Sequence, residues 1–140
     1  MYKHILLPTD GSALSRKAIR TGVQLAKALE ARVTGLSVVV ESPVAAGIGK
    51  AASRGIEPVA AAESFVQVIA EEARRQQVPH ECFYVQAEAP YAAVIRTATA
   101  KGCDLICMAS HGRRGIRGLS LGSETVHVLT HCKIPVLVCH

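Results

Sequence analysis

Candidate chemistry in this 140-residue chain gathers in one stretch, Met108–Ser123, which reads MASHGRRGIRGLSLGS. Gly112, Gly115, Gly118 and Gly122 are interleaved there with Ser110, Ser120 and Ser123, and Arg113, Arg114 and Arg117 supply charge. Glycine lets a backbone turn sharply and come close to a ligand. A helix that begins at the end of such a loop offers unpaired N–H groups to an anion. Ser123 adds a hydroxyl, and guanidinium groups bind phosphate oxygens in pairs. The pattern fits a phosphate-bearing ligand; a plain surface connection is the alternative. It is not the GxxxxGK[ST] phosphate loop, nor the GxGxxG that opens a dinucleotide fold.

Other reactive residue types are more dispersed. Asp10, within Pro8-Thr9-Asp10-Gly11-Ser12, stands where a helix N-cap is expected. His111 lies inside the glycine-rich loop, where it either touches phosphate or shapes the turn. His127 and His131 are four apart, a spacing that can put two imidazoles on one helix face for a metal. A surface or packing role is the reading favoured here, because no further ligand converges in sequence. Of the five cysteines, Cys107 and Cys139 sit in apolar runs and read as small core residues. Cys132, near a helix end, is the candidate for an exposed thiol, and neither Cys82 nor Cys103 belongs to a CxxC pair. The Arg113–Arg117 cluster lacks the stacking aromatics that single-strand nucleic-acid readers use, so nucleic acid is not an expected partner. No GxSxG, HExxH or divided carboxylate pair is present. A catalyst is therefore not expected, and any ATPase activity would be slow.

These residues need a scaffold, and the hydrophobic pattern describes one. Strands are expected at His4–Leu7, Arg32–Val40, Glu81–Val85, Asp104–Met108 and Ile134–Cys139. Helices are expected from Ala13 to Glu30, Val59 to Gln77, Pro90 to Lys101 and Gly122 to Cys132. In the first helix, Leu14, Ala18, Gly22, Leu25 and Leu29 recur on one face, and Gly22 would allow a close approach to the sheet. Glu41–Pro58, rich in Gly, Ala, Ser and Pro, reads as a long loop. Strands alternating with helices predict an α/β domain: a doubly wound, five-stranded, mainly parallel sheet flanked by four helices, Rossmann-like, as one unit over residues 1–140. In such sheets, ligands bind beyond the carboxyl ends of the strands at a topological switch point. That rule selects Pro8–Ser12, the end of the second strand and Met108–Ser123.

Composition sets the bounds. The hydrophobic fraction is 49%, with no Trp, two Phe and three Tyr, so the core must be aliphatic. A net charge of +5 suits an anionic ligand without demanding nucleic acid. The odd number of cysteines and a strand pattern immediately after Met1 predict a cytoplasmic protein with reduced thiols, and no run is long enough to span a bilayer.

Four motifs in order carry a resemblance. Pro8-Thr9-Asp10-Gly11-Ser12, Leu36-Ser37-Val38, Asp104-Leu105-Ile106-Cys107-Met108-Ala109-Ser110-His111-Gly112 and Pro135-Val136-Leu137-Val138 resemble the corresponding segments of universal stress proteins over nearly the whole chain. Members of that family that bind ATP share a Gly, two residues, Gly, nine residues, then Gly-Ser or Gly-Thr. Gly112, Gly122 and Ser123 match, whereas Ala109 replaces the first glycine. A Cβ there either crowds the ribose or is tolerated at negative φ. Glu88-Ala89-Pro90 replaces the family's G-x-P, and Ser37 replaces a histidine.

The resemblance implies a stress-response regulatory protein that binds ATP, with or without Mg²⁺, as a homodimeric switch. Its site would comprise Pro8, Thr9, Asp10, Val38, Ala109, Ser110, His111, Gly112, Arg113, Arg114, Gly122, Ser123 and Glu124. Asp10 would lie near ribose, phosphate or its metal, the Val38 backbone near adenine, and Gly122 and Ser123 at the distal phosphates. Dimerisation would use the C-terminal strand. A dimeric interaction module that binds no nucleotide is the alternative, and Ala109 and Glu88 favour it. A related nucleotide-hydrolase reading lacks its SGGxDS loop.

Overall fold

Side chains alternate across the first strand: Ile5 and Leu7 enter one core cluster, Leu6 the other, and all three are fully buried. That alternation is the strand period of two, applied to a strand covered on both faces. The structure is a computed structural model and describes residues 1–41, 56–112 and 121–140, without the side chains of 56 and 57. Its elements are β1 (His4–Pro8), α1 (Ala13–Leu29), β2 (Arg32–Val40), α2 (Ile56–Arg75), β3 (His80–Ala87), α3 (Pro90–Lys101), β4 (Leu105–Ala109), α4 (Ser123–His131) and β5 (Val136–Cys139).

The five strands form one parallel sheet in the order β3-β2-β1-β4-β5. Parallel pairing requires crossovers, and these place helices on both faces. On one face, Ile19, Val23 and Ala26 of α1 and Ile69 and Ala73 of α2 pack on Ile5, Leu7, Val33, Leu105 and Cys107. On the other, Val94 and Ala98 of α3 and Val128 of α4 pack on Leu6, Leu36, Ile106 and Met108. Each fully buried Ile or Leu contributes about 1.5–3 kcal/mol relative to exposure. The predicted fold class is therefore the observed one.

Local chemistry sets the helix ends. Ser12 caps α1, its Oγ accepting the Ser15 N–H at 3.1 Å. Glu30 (φ 56°) and Gly102 (φ 71°) close α1 and α3 in the left-handed conformation. Pro90 stands in the first turn of α3, where its missing N–H is no loss.

Several boundaries differ from expectation. Helix α2 begins at Ile56, not Val59, because Pro58 fits the first turn of a helix. Of the predicted loop, residues 42–55 lie outside the described residues. Strand β3 extends through Ala87 and β5 starts only at Val136. The α1 stripe is also shifted. The buried face is Ser15, Ala18, Ile19, Gly22, Val23 and Ala26, while Leu14, Leu25 and Leu29 are half-buried at its flank. Small residues dominate this face because α1 lies close to the sheet: a Cβ on Gly22 would overlap Leu7 and stand 3.3 Å from the Cys107 sulfur.

Candidate functional site

The strand order reverses direction at β1, which pairs with β2 on one side and β4 on the other. The carboxyl ends of β1 and β4 thus flank the switch point, where such sheets hold ligands. Two turns meet there. One is Thr9–Ser12 after β1; the other begins at Ser110 after β4.

A relay of hydroxyls builds the first turn. The Gly11 N–H donates to Thr9 Oγ1 at 3.1 Å, and Ser15 Oγ donates to the Ser12 carbonyl at 2.8 Å. With its one proton committed, Ser15 Oγ accepts from Thr9 Oγ1 at 3.1 Å. The Thr9 N–H completes the ladder to the Leu36 carbonyl at 2.8 Å. The Thr9 side chain is buried in this scaffold, its hydroxyl committed to shaping the turn. Gly11 is left-handed (φ 80°), and a Cβ on it would overlap the Phe65 ring of α2. A glycine is therefore needed on both counts.

Asp10 does not cap the helix; that expectation is corrected, because Ser12 performs the role. Instead Asp10 Oδ1 accepts the Ser12 N–H at 3.0 Å, a turn closed by the side chain. This bond orients Oδ2 toward the second turn, where a Cβ on Gly112 would overlap it. Asp10 and Gly112 are thus brought together across the switch point.

The second turn is pinned at both ends. Ser110 N–H bonds the Cys139 carbonyl at 2.7 Å, and the Ser110 carbonyl accepts the Gly122 N–H at 2.6 Å. The chain thus leaves the sheet at Ser110 and returns to the same residue. Thr125 Oγ1, buried on α4, donates to the Ala109 carbonyl at 2.9 Å and lies 3.2 Å from that of Ser110. Ser110 Oγ is 3.0 Å from His111 Nδ1. A Cβ on Gly122 would stand 3.2 Å from the Ser110 carbonyl oxygen and 3.3 Å from the His111 Cα, so this closure is a tight fit around the glycine. Gly122 is the N-cap of α4, with no side-chain cap of its own. The first N–H groups of that helix lack intrahelical partners, a setting for an anion.

Ala109 is the last residue of β4, paired with Cys139, and its backbone is not left-handed. The strand conformation accommodates its Cβ, so the alanine does not distort the turn. Val38 continues β2 past Leu36, which bonds Thr9, and lies at the same carboxyl edge. Glu88 is exposed after β3, the outer strand. Arg113, Arg114 and Arg117 lie outside the described residues. Glu124 has a structural partner: Oε2 accepts the Tyr91 N–H at 2.7 Å, supplying the acidic cap that Ala89 cannot give α3. That bond joins residues 33 apart and has no signal in sequence. Ser15 and Thr125, missed by sequence reasoning, are the buried hydroxyls that fix the two turns; the serine at the third position of α1 was the one available clue.

Elsewhere, the His127 and His131 rings both pack against Tyr91, with centroids 4.8 and 5.3 Å from it. No group of three or more His, Cys, Asp or Glu converges among the described residues. None of the described helices is long and apolar enough to cross a membrane.

Comparison with known proteins agrees with this architecture. Universal stress protein MJ0531 of Methanocaldococcus jannaschii is 29% identical over 144 residues, covering 99% of this chain and 82% of its own. The structure of the hypothetical protein MJ0577, solved as a test case of structure-based assignment of biochemical function, superposes with a TM-score of 0.83 at 26% identity, covering 99% of this chain and 96% of its own. A universal stress protein solved in complex with cAMP superposes with a TM-score of 0.69 at 24% identity, covering 99% and 97%. The model of the universal stress protein family matches residues 1–140, and the chain belongs to that family.

Proposed function

We propose that this protein binds an adenine nucleotide, ATP, at the carboxyl ends of β1, β2 and β4, and acts in the cytoplasm as a homodimeric, nucleotide-dependent regulator of the stress response. The observation that carries the reading is the cradle at the switch point. Gly112 leaves room for the Asp10 carboxylate, and Gly122 lets the chain close on Ser110 at the start of α4. Both glycines stand where the family's nucleotide pattern has them, and a relative of the same fold is solved with cAMP.

Each part has a chemical task. The Val38 backbone receives the adenine edge, and Pro8 and Thr9 form the floor between β1 and β2. Ala109, Ser110 and Gly112 line the ribose and phosphate path; His111, Ser123 and the α4 N-terminus meet phosphate oxygens. Arg113 and Arg114 add positive charge. Asp10 serves the ribose hydroxyls or a Mg²⁺ brought with the triphosphate, which would supply charge neutralisation. The Thr9 and Ser15 hydroxyls are committed to shaping the turn, so the site is built to hold its ligand, and the protein is read as a binding protein and not an enzyme. β5 is an outer strand with Leu137 exposed, and Val126 and Leu129 of α4 are exposed as well; an uncovered apolar edge seeks a partner, here a second copy.

Calorimetric titration with Mg-ATP, with Mg-GTP as control, tests the reading. Selective ATP binding, lost in Gly122→Val with the dimer retained, is the expected result. No heat from folded, nucleotide-free protein would favour the dimeric interaction module, to which the exposed β5 edge would still belong.

A further inference from the structure

Helix α4 has a second feature, in its C-terminal half. His127 and His131 are both exposed and lie one turn apart, with ring centroids 6.3 Å from each other. Tyr91 of α3 packs against both, 4.8 and 5.3 Å from the two rings. An isolated pair of surface imidazoles would sample many rotamers; a shared aromatic neighbour restricts both. The α3 N-terminus that carries Tyr91 is itself tied to α4 through Glu124.

Protonation is also fixed at one ring. His131 Nδ1 lies 2.9 Å from the His127 carbonyl oxygen. A carbonyl can only accept, so Nδ1 holds the proton and Nε2 of the neutral ring keeps its lone pair. A backbone carbonyl on one ring nitrogen is the arrangement that orients metal-ligating histidines and selects their tautomer. Glu124 precedes His127 by three residues and lies on the same helix face, adding negative charge nearby.

We infer that His127 and His131 form a two-imidazole site on α4 for a divalent late transition metal of the Ni²⁺, Cu²⁺ or Zn²⁺ class, with water in the remaining positions. Imidazole suits these ions, and their affinities follow the general order of the series. With metal–nitrogen bonds of about 2.1 Å, two rings on one metal in a bent arrangement have centroids roughly 5 Å apart. The observed pair must close by about 1 Å, a small side-chain rotation for two exposed rings. Two protein ligands suffice for this, whereas a closed structural site would need four.

Calorimetric titration of the full chain with Ni²⁺ tests the inference, alongside His127→Ala, His131→Ala, the double variant and His140→Ala as a control for an unrelated terminal imidazole. One site per chain is expected. Each of the first two changes should weaken it by about tenfold or more, the double variant should abolish it, and His140→Ala should leave it unchanged. Both histidines are exposed, so the variants should fold, and far-UV circular dichroism checks that they do. The Co²⁺ complex should show ligand-field bands without intense near-UV sulfur-to-metal charge transfer. Equal Ni²⁺ affinity in wild type and the double variant would overturn the inference, as would absence of binding. So would charge-transfer absorption that disappears in Cys132→Ser, which would assign the metal to the adjacent thiol.

Discussion

Gly112 has no side chain where the Asp10 carboxylate stands: a Cβ on Gly112 would overlap Oδ2 of Asp10 across the switch point of the sheet. Swinging Asp10 aside would strain or break the bond that Oδ1 accepts from the Ser12 N–H at 3.0 Å. The two turns are therefore fitted to each other before any ligand arrives, which is preorganisation in its plainest form.

Gly112→Ala should accordingly weaken Mg-ATP binding by at least about tenfold, equivalent to about 1.4 kcal/mol. Asp10→Ala should weaken it as well. If the overlap is the cause, the two changes will not be additive, because removing the carboxylate removes the clash. A double-mutant cycle by calorimetry measures this coupling. Strict additivity would show that the two residues act separately.

Close approach recurs in the core. Gly22→Ala should lower stability despite improving helix propensity. The new methyl would meet the fully buried Leu7 and approach the Cys107 sulfur at 3.3 Å. Overpacking costs about 1–3 kcal/mol, against a propensity gain of about 1 kcal/mol, for a net loss of up to roughly 2 kcal/mol. Urea unfolding gives the number directly. A raised midpoint would mean that α1 can lift off the sheet without penalty.

How far the sequence disclosed all this depended on whether the signal was local. Arg32–Val40 was legible as β2 because β-branched residues dominate it, and Pro90 with Gly102 marked both ends of α3. The start of α2 was misplaced because Pro58 was read as preceding the helix; it stands inside the first turn. On α1, Ala18 and Gly22 lie on the buried face as their spacing predicts, but Leu14, Leu25 and Leu29 stand at its flank, because close packing on the sheet at Gly22 centres that face on Ser15, Ile19, Val23 and Ala26. At the site, the glycines and Asp10 were visible as motifs. That Ser12 is the cap, that Ser110 receives both ends of its loop, and that Glu124 crosses to Tyr91 are long-range or hydroxyl-level facts without periodicity.

Thiol chemistry offers an independent check on the packing. Burial pushes the Cys82 and Cys103 thiols up to about 11, and raises Cys107 strongly, with neighbouring Cys139 adding to the effect. Cys107 is fully buried; its thiol donates to the Ala18 carbonyl at 3.6 Å and lies 3.8 Å from the Cys139 sulfur. At pH 8, a thiol with pKa near 11 is only about 0.1% thiolate, the reactive form. Brief alkylation of native protein with iodoacetamide should therefore spare Cys82, Cys103 and Cys107, and all five should react in urea. Rapid native labelling of Cys107, seen by peptide mass spectrometry, would contradict the packed α1–β4 contact.

The remaining buried imidazole predicts a pH dependence. His4 is only 7% exposed, its Nε2 lies 2.6 Å from Thr34 Oγ1, and its backbone N–H donates to Asp104 Oδ1 at 3.0 Å. Burial, followed by the Arg32 charge, lowers its pKa below the ordinary 6.5; Glu81, Asp104 and a hydrogen bond with the Lys101 backbone oppose this without reversing it. Below pH 6.5 the unfolded chain takes up a proton that folded His4 refuses, so the unfolded state binds more protons and stability falls with pH. The loss grows until the pH reaches the lowered folded value, then levels off. Asp104 titrates in a separate window. Burial there raises the pKa, but the backbone N–H groups of His4 and Lys3 outweigh it, so the net shift is below 3.8 and its contribution fades only under strongly acid conditions. Unfolding free energies measured in urea between pH 7.5 and 5 should decline in the wild type and decline less in His4→Gln, which keeps a polar partner for Thr34 without a titrating ring. Equal slopes for the two proteins would remove His4 as the source of the decline.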